Sequence, residues 1–190
     1  MLNAKSYFKF SANLLFLGTI VSTSQAQAQL VNIPINGNLP GSCTFGAING
    51  GTLVKHPSLP AVTATGGGVS VGGQSAGTAG SVTVNCQNSS ALTISPPIGL
   101  GPSGFTPSAV QALVQKGNST ALLDMASANM GGTFEAVGPW NTTNPTMQLQ
   151  TGSTVLNISL AAGSGQNNLL APFLPTGNYT YTINLSITGN

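Results

Sequence analysis

Few side chains in this chain could do acid–base or nucleophilic work: Asp124, Glu135, His56, Cys43, Cys86 and the lysines Lys5, Lys9, Lys55 and Lys116, with no arginine at all. A carboxylate pair acting as general acid and base would have to be Asp124 and Glu135. They flank "MASANMGGTF" and have no adjacent His or Arg to tune them. A serine nucleophile would need His56 as its base. The surrounding "VKHPSLP" supplies no acid to orient the ring, and His56 reads as an exposed loop histidine. Two cysteines and one histidine are too few for a protein metal site, and a thiol nucleophile would again want a base. The glycine-rich run at 63–81 lacks the Lys-Ser/Thr that ends a phosphate loop. The chain therefore reads as a non-enzyme without metal or small-molecule cofactor.

Composition points the same way. Only 3% of the 190 residues are charged, against 41% hydrophobic, where an ordinary soluble domain is roughly a quarter charged. The formal charge of +2 depends on Lys5 and Lys9, which lie in a segment expected to be removed. The remaining cations, Lys55 and Lys116, balance Asp124 and Glu135. A neutral surface of this kind does not attract nucleic acid.

Residues 1–28 read as a signal peptide. Lys5 and Lys9 form a positive start, "ANLLFLGTIV" a short apolar core, and Ala26 and Ala28 an A-x-A cleavage pattern. Cleavage after Ala28 is preferred over cleavage after Ala26, and the apolar run is too short to span a bilayer. Export makes the two cysteines interpretable. An even count in an oxidising compartment favours a Cys43–Cys86 disulfide, closing a long loop.

Strand signals fill the rest. "GSVTVNCQ" alternates through Val82, Val84 and Cys86, "ALTIS" through Leu92 and Ile94, "TMQLQ" through Met147 and Leu149, and "STVLNISLA" through Leu156, Ile158 and Leu160. Near the end, Tyr179, Tyr181, Ile183, Leu185 and Ile187 alternate with Thr180, Thr182, Asn184, Ser186 and Thr188. At the start of the exported chain, Val31, Ile33, Ile35, Gly37 and Leu39 alternate with polar residues and Pro34. Between the strands, "SPPIGLGPSG" and "GPWNTTNP" carry turn residues, and 63–81 reads as a flexible loop rather than a weak strand pair. One helix is predicted over 107–117, "PSAVQALVQKG", with Pro at its start and Gly117 as its stop; "TALLDMA" is a second, shorter candidate. Half-buried antiparallel strands in one domain over 41–190, after an extension at 29–40, give an all-β sandwich.

The order of "INGNLPGSCTF", "GSVTVNC" and a closing "PTGNYTYTINLSIT" resembles chaperone–usher pilus subunits and the related spore-coat-U-like secreted proteins, over both ends and the cysteine frame. The resemblance implies an immunoglobulin-like sandwich that lacks its last strand and receives a neighbour's N-terminal extension by β-augmentation. By position, Val31, Ile33, Ile35 and Leu39 would fill the neighbour's pockets, and Gly37 would allow close backbone approach. Tyr179, Tyr181, Ile183, Leu185 and Ile187 would line the receiving edge. Pro34 lacks an N–H, so the donated strand would pair on one side only there. The implied partners are neighbouring copies or other pilins, a periplasmic chaperone and an outer-membrane usher. The implied route runs through the periplasm to the cell surface or an extracellular fibre. The alternative is a non-polymerising spore-coat-like or glycan-binding adhesin domain, for which Trp140, among Asn141, Thr142, Thr143 and Asn144, is the aromatic that would stack on a sugar.

Overall fold

The computed structural model describes residues 29–31, 43–102, 105–119, 121–131, 144–163 and 174–189. Among the described residues thirteen strands follow in chain order: β1 (Gln29–Val31), β2 (Cys43–Asn49), β3 (Gly51–Lys55), β4 (Ala61–Ala64), β5 (Gly80–Cys86), β6 (Ser90–Ile94), β7 (Ile98–Leu100), β8 (Ala109–Lys116), β9 (Met125–Gly131), β10 (Thr146–Leu149), β11 (Gly152–Gly163), β12 (Thr180–Thr182) and β13 (Leu185–Gly189). All pair antiparallel. The all-β expectation holds for the described residues.

The long strand β11 organises the larger sheet. One of its edges carries β5 beside 152–158 and β4 beside 160–163; the other carries β8, which in turn pairs β9. The sheet continues from β4 to β3 and β1, and from β5 to β2. A three-stranded sheet, β10-β6-β13, and a two-stranded one, β12-β7, complete the sheets of the described residues. The main core takes Val82, Val84, Val110, Val114, Leu156, Ile158 and Leu160 from the larger sheet, and Leu92, Ile94, Met147, Leu149, Leu185 and Ile187 from the three-stranded one. Strands β5, β6 and β10 alternate in burial as they do in sequence, because a two-residue repeat sends one set of side chains to each face, whereas β11 is buried on both faces from Ile158 onward.

The predicted helix over 107–117 is corrected: residues 109–116 form strand β8. This strand lies between β11 and β9 and is covered on both faces. Val110, Ala112 and Val114 enter the main core, while Ala109 and Leu113 join a second cluster with Ala61, Val69, Val71, Met125 and Ala161. A strand buried on both faces has no polar alternation to betray it, and its apolar run is open to a helical reading. The "TALLDMA" stretch does contain one turn of 3-10 helix, Leu122–Asp124, with Leu122 and Leu123 exposed.

Between the end of β4 at Ala64 and the start of β5 at Gly80, the glycine-rich run is a loop laid across the outer face of the sheet. Val69 and Val71 are buried in the second cluster, and polar contacts pin the backbone. Gln115 Nε2 donates to the Gly67 carbonyl at 2.8 Å, Ser75 Oγ to that of Val69 at 2.9 Å, and Thr65 Oγ1 accepts from the Ala76 amide at 3.0 Å. Gly77 shows why glycine is needed. Its φ is +74°, and a Cβ there would strike the carbonyl oxygens of Thr52 and Thr63.

Candidate strand-docking site

Cys43 and Cys86 form the disulfide, directly opposite each other where β2 pairs β5. Such a bond fits an oxidising compartment. It fastens the point at which the N-terminal extension enters the domain. Of that extension, Val31 lies in β1 and Ile33, Ile35, Gly37 and Leu39 lie outside the described residues, as do the signal segment, Glu135 and Trp140. Strand β1 runs antiparallel to β3, with Gln29 opposite Leu53, Leu30 opposite Thr52 and Val31 opposite Gly51. The extension's first residues therefore pair within their own chain, and with β3 rather than with the closing strand.

The five alternating residues near the C-terminus are all buried: Tyr179, Tyr181, Ile183, Leu185 and Ile187 belong to the main core, while Thr180, Ser186 and Thr188 face outward. Tyr181 lies in one strand, Leu185 and Ile187 lie in another, and Tyr179 and Ile183 flank them. Thr180–Thr182 pairs β7, and Leu185–Gly189 pairs β6; between them the Ser95 amide donates to the Asn184 carbonyl at 3.0 Å. Among the described residues β13 has a partner on its β6 side only. Its opposite edge, like the outer edge of β10, is open to a further strand that would extend the three-stranded sheet.

Aromatic packing fixes the start of this closing segment. The Tyr179 hydroxyl donates to the Pro175 carbonyl at 2.7 Å, and its ring meets Phe105 edge to face at 5.4 Å between centroids. Gly99 of β7 lies flat on the Tyr181 ring, where a Cβ would collide with the ring and with the Thr180 carbonyl. Ile98 and Leu100, on either side of it, are 65% and 80% exposed.

Tyr181 is 1% exposed, and its hydroxyl has no hydrogen-bond partner among the described residues. Burial, and secondarily the neighbouring Tyr179, pushes this phenol up to about 12. An unfolded tyrosine ionises near pH 10. The native state thus keeps a proton that the unfolded state releases, so this contribution is intact below about pH 10 and is lost as pH rises towards about 12. Tyr181→Phe removes the unpaired hydroxyl. Urea titrations at pH 7 and pH 11 should find the variant at least as stable as the parent at neutral pH and spared about 1–2 kcal/mol of the alkaline loss. A variant that loses stability in parallel with the parent would disprove this assignment.

Among the described residues, the Asp124 and Lys116 pair and His56 make separate contacts. Asp124 Oδ1 accepts from Lys116 Nζ at 2.8 Å, and Asp124 Oδ2 from Ser119 Oγ at 3.0 Å. The Lys116 bond, then the Ser119 bond, holds the Asp124 carboxyl below its usual range. This is a partly exposed pair that ties the end of β8 to the turn before β9.

The exposed-loop reading of His56 is corrected, since the residue is 1% exposed. Its Nδ1 accepts from the backbone amides of Leu59 at 2.9 Å and Ser58 at 3.2 Å. Amides can only donate, so Nδ1 is unprotonated and the proton sits on Nε2, which donates to the Val71 carbonyl at 2.9 Å. His56 is a structural clamp between the β3–β4 turn and the glycine-rich loop. Pro57 and Pro60 were the available signal: a tight turn between them leaves amides that want a side-chain acceptor.

Comparison of the chain with protein-family models, curated proteins and solved structures finds no match.

Proposed function

We propose that the chain is a secreted structural subunit of a surface fibre or coat, which assembles by lending its N-terminal extension to a neighbouring copy. The observation that carries this reading is the closing strand. Tyr181, Ile183, Leu185 and Ile187 are core residues, yet β13 is paired on one side only among the described residues. A donated strand on that edge would add main-chain hydrogen bonds and place alternate side chains against the core. Val31, Ile33, Ile35 and Leu39 have the spacing for that task, and Gly37 would admit close approach.

Two further features favour an immunoglobulin-like frame. Tyr179 bonds to a carbonyl four residues upstream at the start of the closing segment, as the tyrosine corner of such sandwiches does. The Cys43–Cys86 bond locks the first strand of the domain to β5, next to the point where the extension joins it. Before assembly a periplasmic chaperone would cover the β13 edge, and an usher would exchange it for the next subunit's extension. A surface of hydroxyls and amides with 3% charged residues suits close packing of copies, where like charges would repel.

The test is to delete residues 29–39 and supply them back as a synthetic peptide. The truncated domain should be monomeric, should bind the peptide and should melt several degrees higher in its presence. A truncated domain that polymerises as the full chain does, or one that ignores the peptide, would refute donor-strand assembly.

A further inference from the structure

We propose that the β1–β3 ladder is a latch: in the single chain it holds the beginning of the extension in cis, and it must open before that extension can serve a neighbour. This rests on the donor-strand reading above. Thr52 engages Thr78 with both of its backbone groups, donating at 2.9 Å and accepting at 3.0 Å. Both groups of a strand residue point to the same edge, so Thr52 has none to offer β1, and Leu30↔Thr52 is the non-hydrogen-bonded pair of the ladder. The bonds to β1 then come from Leu53 and Gly51, opposite Gln29 and Val31. Strand β1 thus occupies the edge of β3 that faces away from β4.

Two tethers then bound the extension. Val31 is held on β3, and Cys43 is held to β5 by its disulfide. With both ends fixed, residues 32–42 can leave the domain only as a doubled-back loop reaching roughly 20 Å. With the first end free, the same residues can lie at full length along another subunit. The latch is short, two hydrogen-bonded residue pairs against the backbone entropy of three ordered residues, so it opens readily. Because the ladder is intramolecular, its local concentration is of millimolar order, and a dilute neighbour does not displace it. High subunit density, or an assembly factor that captures the freed end, does.

The pair Leu30↔Thr52 gives a direct test, since non-hydrogen-bonded partners lie about 4.5 Å apart at Cα and within disulfide reach. The double variant Leu30→Cys with Thr52→Cys is prepared as the exported chain under the same oxidising conditions as each single variant. Peptide mapping should find the two introduced thiols joined within one chain, and light scattering should find polymer reduced at least tenfold relative to the single variants. If the introduced thiols remain unpaired, or if the joined chain polymerises like the single variants, the latch is overturned while donor-strand assembly stands. If parent and single variants also fail to polymerise and the truncated domain ignores the 29–39 peptide, the donor-strand reading falls and the latch falls with it.

Discussion

Cys43→Ala combined with Cys86→Ala is expected to lower the unfolding free energy by about 4 kcal/mol. The bond joins residues 43 positions apart, and closing a loop of that length removes a large share of the unfolded chain's freedom. The native side compounds the loss. Among the described residues strand β2 joins the larger sheet through β5 alone, its register slips between Phe45 and Ile48, and residues 46–50 are exposed. Once the bond is gone, two short runs of pairs, Cys43–Phe45 and Ile48–Asn49, interrupted by the register slip, hold the strand in place. Thermal denaturation should show the midpoint falling by roughly 8–16 °C, and proteolysis should reach β2 before the rest of the sheet. A double variant within 1 kcal/mol of the parent would mean that the bond constrains a segment already ordered when unfolded.

Much of this fold was legible because the strands are half-buried. Val82, Val84 and Cys86, or Met147 and Leu149, repeat every second residue, and a buried face paired with a polar one admits no other regular structure. Legibility ended where that asymmetry ended. In β8, Ala109, Val110, Leu113 and Val114 sit as they would along one side of a helix, while Gln111 and Gln115, which a surface helix would have turned outward, are buried beneath the glycine-rich loop. Nothing in the local pattern announces that a loop composed largely of Gly, Ser and Thr will supply Val69 and Val71 as a second small core.

The candidate site divides in the same way. Alternation marked both the extension and the closing strand, and Tyr179 to Ile187 are indeed inward-facing. Alternation gives a strand its faces but carries no address for its edge. That Gln29–Val31 lies on β3 depends on Thr52 having already committed its backbone to Thr78, a contact between residues far apart in the chain. Likewise the break that hands the closing segment from β7 to β6 falls at Ile183–Asn184, inside an uninterrupted alternating run.

His56→Ala is the second large effect expected, a loss of about 3–4 kcal/mol. The ring satisfies three backbone groups at once: the amides of Ser58 and Leu59 and the carbonyl of Val71. The His56 amide itself donates to the Ala61 carbonyl at 2.8 Å, so the ring sits inside the turn that joins β3 to β4. Truncation leaves the Ser58 and Leu59 amides without their acceptor and opens a cavity the size of the ring, while the Val71 carbonyl keeps the Gln74 amide at 3.0 Å. It also frees the Val71 segment, which holds the loop over Leu113 and Met125. His56→Asn separates the two roles, because an amide oxygen can still cap the turn as in an Asx-turn but is too short to reach Val71. The asparagine variant should recover part of the stability while its 66–79 loop remains as sensitive to protease as that of the alanine variant. Equal stability of the two variants would show that the clamp acts through the loop contact alone, and a parent-like alanine variant would show that the ring carries neither role.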